Sequence, residues 1–181
     1  MSKKPRSGTK PTTSSLTPAR AKGLLAKLKL VVFDFDGVMT DNRVLVMQTG
    51  HEGVMCNRSD GLGVGMLHEA GLPMLVLSKE QNPVVAARCG KLKIECIQGI
   101  DDKPSRLASL LRSRRIDPAD VAYVGNDLND VGCMEMVGLP IAVVDAYPPA
   151  LKAAKLVTTR PGGYGAVREV CDWILAARNG A

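Results

Sequence analysis

Aromatic side chains are scarce in this 181-residue chain, which has two Phe, three Tyr and one Trp, 3% of the total. Val, Leu, Ile, Ala and Met must therefore fill the interior, and a hydrophobic content of 45% supplies enough of them for a globular domain. No apolar run approaches the ~20 residues that a membrane-spanning helix needs. Histidine occurs only at His51 and His68. The five cysteines (Cys56, Cys89, Cys96, Cys133, Cys171) are an odd number without C-x-x-C spacing. A zinc site therefore lacks its ligand pattern, and reduced, mostly buried thiols of a cytoplasmic protein are expected.

Acidic residues are missing from positions 1–29, which hold eight of the 24 basic residues. The remainder carries 16 basic against 18 acidic side chains, so the net charge of +6 belongs to the N-terminal segment. Nucleic-acid binding would rest on those eight residues alone and is not expected. Residues 1–25, rich in Ser, Thr, Pro, Lys and Arg, read as a disordered basic tail. The segment has no apolar core of a secretory signal. A Ser-rich, acid-poor start also suits an organelle transit peptide, but no clear amphipathic pattern accompanies it.

From residue 26 onward the length suits one domain with a real core. Strand candidates are Leu28–Phe35, Met74–Leu77, Ile94–Ile97, Val121–Val124 and Ile141–Val144. Helix-length segments lie between them, at about 60–70, 81–90, 103–115 and 128–137, and a last helix covers Gly165–Ala177. Apolar strands alternating with helices predict an α/β fold with a parallel sheet covered on both faces. Arg43–Met47 and Gly53–Asn57 break the alternation and read as an inserted β-hairpin. In such sheets ligands bind beyond the carboxyl ends of the strands, so the residues just after each strand bear most on function.

Asp34 and Asp36 end the first strand two residues apart, on one side of an extended chain. Turn or cap aspartates are the ordinary alternative. Two like charges brought together are costly, however, unless a cation or a reaction uses them. One carboxylate can attack phosphorus, and the other can protonate a leaving alcohol and later activate water. Ser78 ends the second strand, as a phosphate contact or the cap of a helix beginning near residue 81. Lys103 opens a helix, where a cation opposes the helix dipole unless it neutralises an anion. Asn126, Asp127 and Asp130 follow the fourth strand as oxygen donors suited to magnesium. The glycines at 61, 63 and 65 do not form a dinucleotide-binding loop.

In this order the four motifs resemble those of the haloacid dehalogenase superfamily of phosphohydrolases. "DFDGVMTD", "RSDGLGVGML", "QGIDDK", "VGNDLND" and "GGYGAVREVCDWIL" narrow the resemblance to its capless branch of 3-deoxy-D-manno-octulosonate 8-phosphate and nonulosonate 9-phosphate phosphatases. "SKEQNPVVAARCGKLKI" leans toward the nine-carbon side. The resemblance implies a Rossmann-like domain without a cap over residues 26–181. It also implies a homotetramer and a small phosphorylated sugar acid as substrate. Asp34 would be the nucleophile and Asp36 the general acid and base. Ser78 and Lys103 would hold phosphate. Magnesium would sit among Asp34, the Asp36 backbone carbonyl and the Gly125–Asp130 loop, with Asn126 and Asp127 as its candidates. Arg58 and Arg168 are the candidates for the sugar carboxylate. Relatives commonly place Asp where this chain has Asn126. The alternative is a non-catalytic module of the same fold that assembles with a sialic acid cytidylyltransferase, although such a module has no reason to keep both aspartates.

Overall fold

The computed structural model describes residues 16–180. Six parallel strands form the central sheet: β1 (Leu30–Phe33), β4 (Met74–Leu77), β5 (Glu95–Ile97), β6 (Val121–Gly125), β7 (Leu139–Ala142) and β8 (Leu156–Val157). Their order is β5-β4-β1-β6-β7-β8. The hairpin strands β2 (Thr40–Val46) and β3 (Glu52–Cys56) form a separate two-stranded sheet. Among the described residues seven α-helices complete the fold: α1 (Lys22–Ala26), α2 (Arg58–Glu69), α3 (Val84–Leu92), α4 (Lys103–Arg114), α5 (Val131–Met136), α6 (Pro148–Ala153) and α7 (Ala166–Asn179).

Every residue of β1, β4, β6 and β7 is buried, the pattern of strands covered on both faces. Branched and straight aliphatics supply most of that core, as the shortage of aromatics requires, with Phe33, Phe35 and Tyr123 as its largest buried rings. β1 pairs with β4 on one side and β6 on the other, so chain order reverses at β1. A crevice opens at such a reversal beyond the carboxyl ends. The sequence motifs converge there.

Three elements, α1, α6 and β8, were not expected from sequence. α6 and β8 are six and two residues long, too short for a periodic signal, and β8 adds a sixth strand beside β7. The third, α1, lies in the N-terminal segment. Residues 1–15 of the expected tail lie outside the described residues, but 16–25 belong to the packed structure. Leu16 N donates to Lys155 O at 2.8 Å, and Ala21 and Leu25 are buried. Ala21, Leu25 and Leu28 recur at helical spacing, so this basic stretch has an apolar face to bury. Among the described residues no helix is long and apolar enough to cross a membrane.

Candidate active site

β1 is followed at once by Asp34, whose backbone N–H continues the ladder by donating to Val124 O at 2.9 Å. The carboxylate is thereby fixed at the sheet's carboxyl edge. Its Oδ1 accepts from Phe35 N and from Lys103 Nζ, both at 2.7 Å. Lys103 opens α4 behind the cap Asp102, whose side chain accepts from Ser105 N at 3.1 Å. That turn aims the lysine inward, where it is 1% exposed. Its ammonium lies 2.8 Å from Asp130 Oδ1.

Asp130 is wholly buried, and its carboxylate is occupied. Oδ1 also accepts from the Tyr123 hydroxyl at 2.7 Å, while Oδ2 accepts from Asn126 N at 2.9 Å and Asp127 N at 3.3 Å. It therefore shapes the loop after β6 and has no lone-pair direction left for a metal. Tyr123, the third residue of β6, was not identified from sequence because an apolar strand context conceals a hydroxyl with a buried partner.

One ammonium against two carboxylates leaves the buried trio with an excess negative charge. Burial, with Asp130 beside it, pushes the Asp34 carboxyl up to about 8 against the pull of Lys103. Burial alone would lower Lys103, but the two carboxylates hold it above its ordinary value. Burial and Glu80 raise Asp36 as well.

A cleft of about 400 Å³ opens over this cluster, lined among others by Asp34, Asp36, Ser78, Lys79, Asn126 and Asp127. Ser78 is not a helix cap. Its Oγ accepts from Glu80 N at 3.1 Å in a local turn, and α3 begins only at Val84, where Asn82 Oδ1 accepts from Val84 N at 3.1 Å. Asn126 is 5% exposed, and its Oδ1 is buried without a hydrogen-bond partner. Gly37, at φ 78°, lets the chain turn under it, since a Cβ there would overlap Asn126 Nδ2.

These donors can be tested against a divalent cation. Among the described residues no group of three His, Cys, Asp or Glu side chains is placed to hold a metal. An Asp carboxylate, a backbone carbonyl and an amide oxygen remain possible, and all are hard donors. The unpartnered Asn126 Oδ1, beside a trio that lacks one positive charge whenever Asp34 is ionised, fits such an ion.

The glycine-rich segment after β8 packs against the turn that follows β1. Gly163 N donates to Val38 O at 3.1 Å and Gly162 N to Asp145 Oδ1 at 2.9 Å, and a Cβ on Gly162 would overlap Gly37 O. The segment buttresses the Asp36–Thr40 turn.

The sequence matches a family model described as haloacid dehalogenase-like hydrolase over residues 77–168. It is also 38% identical over 152 residues to the 3-deoxy-D-manno-octulosonate 8-phosphate phosphatase KdsC of Escherichia coli K12, covering 83% of this chain and 81% of that one. The chain belongs to the haloacid dehalogenase-like hydrolases. It is a phosphatase of that family. A 3-deoxy-D-manno-octulosonate 8-phosphate phosphatase from Moraxella catarrhalis, solved with a magnesium ion, a phosphate ion and a KDO molecule, superposes with a TM-score of 0.85. It is 32% identical, with 88% of this chain and 92% of that one covered. A family hydrolase from Streptomyces avermitilis is 51% identical with a TM-score of 0.81, covering 82% of this chain and 86% of that one.

Within this hydrolase the cleft brings together Asp34, Asp36, Ser78, Asn126 and Asp127, with Lys103 bound to Asp34 at its floor. Arg58 and Arg168 do not line it. Arg58 is exposed at the start of α2, and Arg168 Nε donates to Asp172 Oδ1 at 2.8 Å beside a different pocket. Sequence reasoning missed Asn42 and Glu80, which line the cleft from the hairpin and the turn after β4. Neither carries a motif signal of its own.

Proposed function

We propose that this hydrolase removes phosphate from a small acidic sugar, a 3-deoxy-2-ulosonate such as octulosonate 8-phosphate or a neuraminate-type 9-phosphate. The observation that carries the chemistry is Asp34, held by Lys103 at 2.7 Å at the floor of a cleft that Asp36 also lines. The named relatives supply the octulosonate substrate, and the neuraminate type rests on the sequence resemblance.

In this reading an Asp34 carboxylate oxygen bonds to phosphorus as the bond from phosphorus to the sugar oxygen breaks. Asp36 gives its proton to the departing oxygen, a role that its raised pKa suits. Asp36 then takes a proton from water, whose oxygen attacks phosphorus and releases phosphate from Asp34. Ser78 and Lys103 hold the phosphoryl oxygens. The Asp34 carboxylate, the Asp36 carbonyl and Asn126 Oδ1 would hold Mg²⁺, with Asp127 at the cleft rim. Mg²⁺ supplies positive charge that favours ionised Asp34 and offsets the phosphoryl oxygens.

Both aspartates, the lysine and the serine are retained in one cleft, and nothing here favours the non-catalytic assembly module. Val44, Leu45, Val46, Met47 and Met55 leave an exposed apolar hairpin, which supports a homotetramer. Sedimentation as a monomer would contradict that assembly.

Acid quenching tests the intermediate. Asp36→Asn given p-nitrophenyl phosphate, whose leaving group needs no proton, should accumulate phosphate on Asp34 by peptide mass spectrometry. Phosphate on another residue would sink the assignment.

A further inference from the structure

The cleft continues past Asp36 into a second compartment of about 310 Å³. The two share Asp36, Asn42 and Glu80, and the second adds Arg43, Glu52 and Asn82 among its lining. With Asp36 as the acid that protonates the leaving oxygen, the sugar lies on this side of it. A role for the compartment in holding the sugar therefore rests on the reaction proposed above.

An irregularity in the hairpin brings Arg43 there. Thr40 pairs with Cys56 and Val44 with Val54, so Asp41, Asn42 and Arg43 stand opposite Met55 alone. Asn42 has φ 61°, a left-handed conformation that is strained for a residue other than glycine. Side chains brace the bulge. Thr40 Oγ1 accepts from Gly37 N at 3.1 Å and Asn42 N at 3.3 Å, and Asp41 Oδ1 accepts from Arg43 N at 3.2 Å. The turn that carries Asp36 and the bulge that carries Arg43 are thus tied through one hydroxyl. Bulges beside active sites commonly re-aim a side chain.

The charges of the compartment make that aim selective. Asp36, Glu52 and Glu80 line it with carboxylates, and Arg43 is the cation of its lining. Glu80 Oε1 accepts from Gln81 N and Asn82 N, each at 2.7 Å, and Glu52 Oε2 accepts from Asn82 Nδ2 at 3.2 Å. Neither glutamate is paired with Arg43, whose guanidinium forms no ion pair among the described residues. A guanidinium fork left free in a cleft matches a carboxylate on the leaving group.

We infer that Arg43, delivered by the Asp41–Arg43 bulge, is the specificity-determining residue that engages the carboxylate of the leaving group. The test compares octulosonate 8-phosphate and neuraminate 9-phosphate, each with its methyl ester, on the magnesium-loaded full chain. Wild type should favour the free acids in kcat/KM. Arg43→Ala should cut the acid-to-ester ratio by about tenfold to a hundredfold, the range of a lost charged hydrogen bond. Arg43→Lys should retain an intermediate ratio, since it keeps charge but loses the fork. A merely structural role would lower acid and ester together and leave the ratio at its wild-type value, which overturns the inference. A wild type that turns over neither acid overturns the proposed substrate class and this inference with it. A wild type that prefers acids, with an Arg43→Ala variant of equal preference, overturns the inference alone.

Discussion

Lys103 shows how far one residue can depart from its ordinary role. A lysine in the first turn of a helix is usually solvated, yet here it sits 1% exposed between Asp34 and Asp130. Lys103→Met should cost about 3 kcal/mol in chemical denaturation, because it leaves the buried Asp130 carboxylate without its cation. A loss below ~1 kcal/mol would contradict the buried trio. Asn126 is the opposite case, an amide whose Oδ1 has no partner. Asn126→Asp places a third carboxylate beside Asp34. It should lower the melting temperature in EDTA and enlarge the rise on adding Mg²⁺. An unchanged Mg²⁺ shift in calorimetry would argue against Asn126 as a ligand. The sequence exposed Asp34, Asp36, Ser78 and Lys103 because they stand just after three of the strands, β1, β4 and β5. It could not reveal that Asp130 is spent on Tyr123, Lys103 and two backbone N–H groups, since that depends on contacts made only after folding.

At the scale of elements, the all-buried strands were legible because apolar runs bounded by Gly, Pro and Asp leave little choice. α6 and β8 were not, being held by neighbours more than by pattern. α2 and α7 meet closely at Gly63, where a Cβ would lie 3.1 Å from Arg168 Cα and 3.1 Å from Cys171 Cβ, whereas Gly65 has nothing within 4 Å. Gly65→Ala should stabilise by about 0.5–1 kcal/mol through helix propensity. Gly63→Ala should destabilise, and equal effects in thermal melts would contradict this packing. The opposite edge of the sheet carries a pH-dependent tie. Lys29 Nζ lies 2.8 Å and Lys27 Nζ 3.4 Å from the Asp120 carboxylate, and the hydrogen bond from Lys29 lowers the Asp120 pKa. A depressed carboxyl pKa stabilises above the unfolded value of about 3.9 and stops doing so as pH falls through the folded value. Asp120→Asn should therefore melt lower than wild type at pH 7, with the difference narrowing as pH falls below about 3.9. A gap that does not narrow in acid would rule out the ion pair as its source.

For the whole molecule, the strand order places β1 at the centre, with β4 and β6 on either side, and each of the three hands its terminal polar residues to one cleft. That arrangement follows from a parallel sheet, so the site could be anticipated from sequence as soon as the strands were recognised. The leaving-group compartment could not, because it depends on a register shift in the hairpin that no local pattern announces. The basic excess lies in residues 1–29 and leaves the sheet and its cleft with a slight acidic balance, which places the burden of anion binding on a few cations. The most direct measurement is phosphate release from octulosonate 8-phosphate and neuraminate 9-phosphate in Mg²⁺, by wild type and Asp34→Asn side by side. Wild type should turn over at least one of them, and Asp34→Asn should fall to background. Wild-type release no greater than that of Asp34→Asn on either substrate would contradict the account.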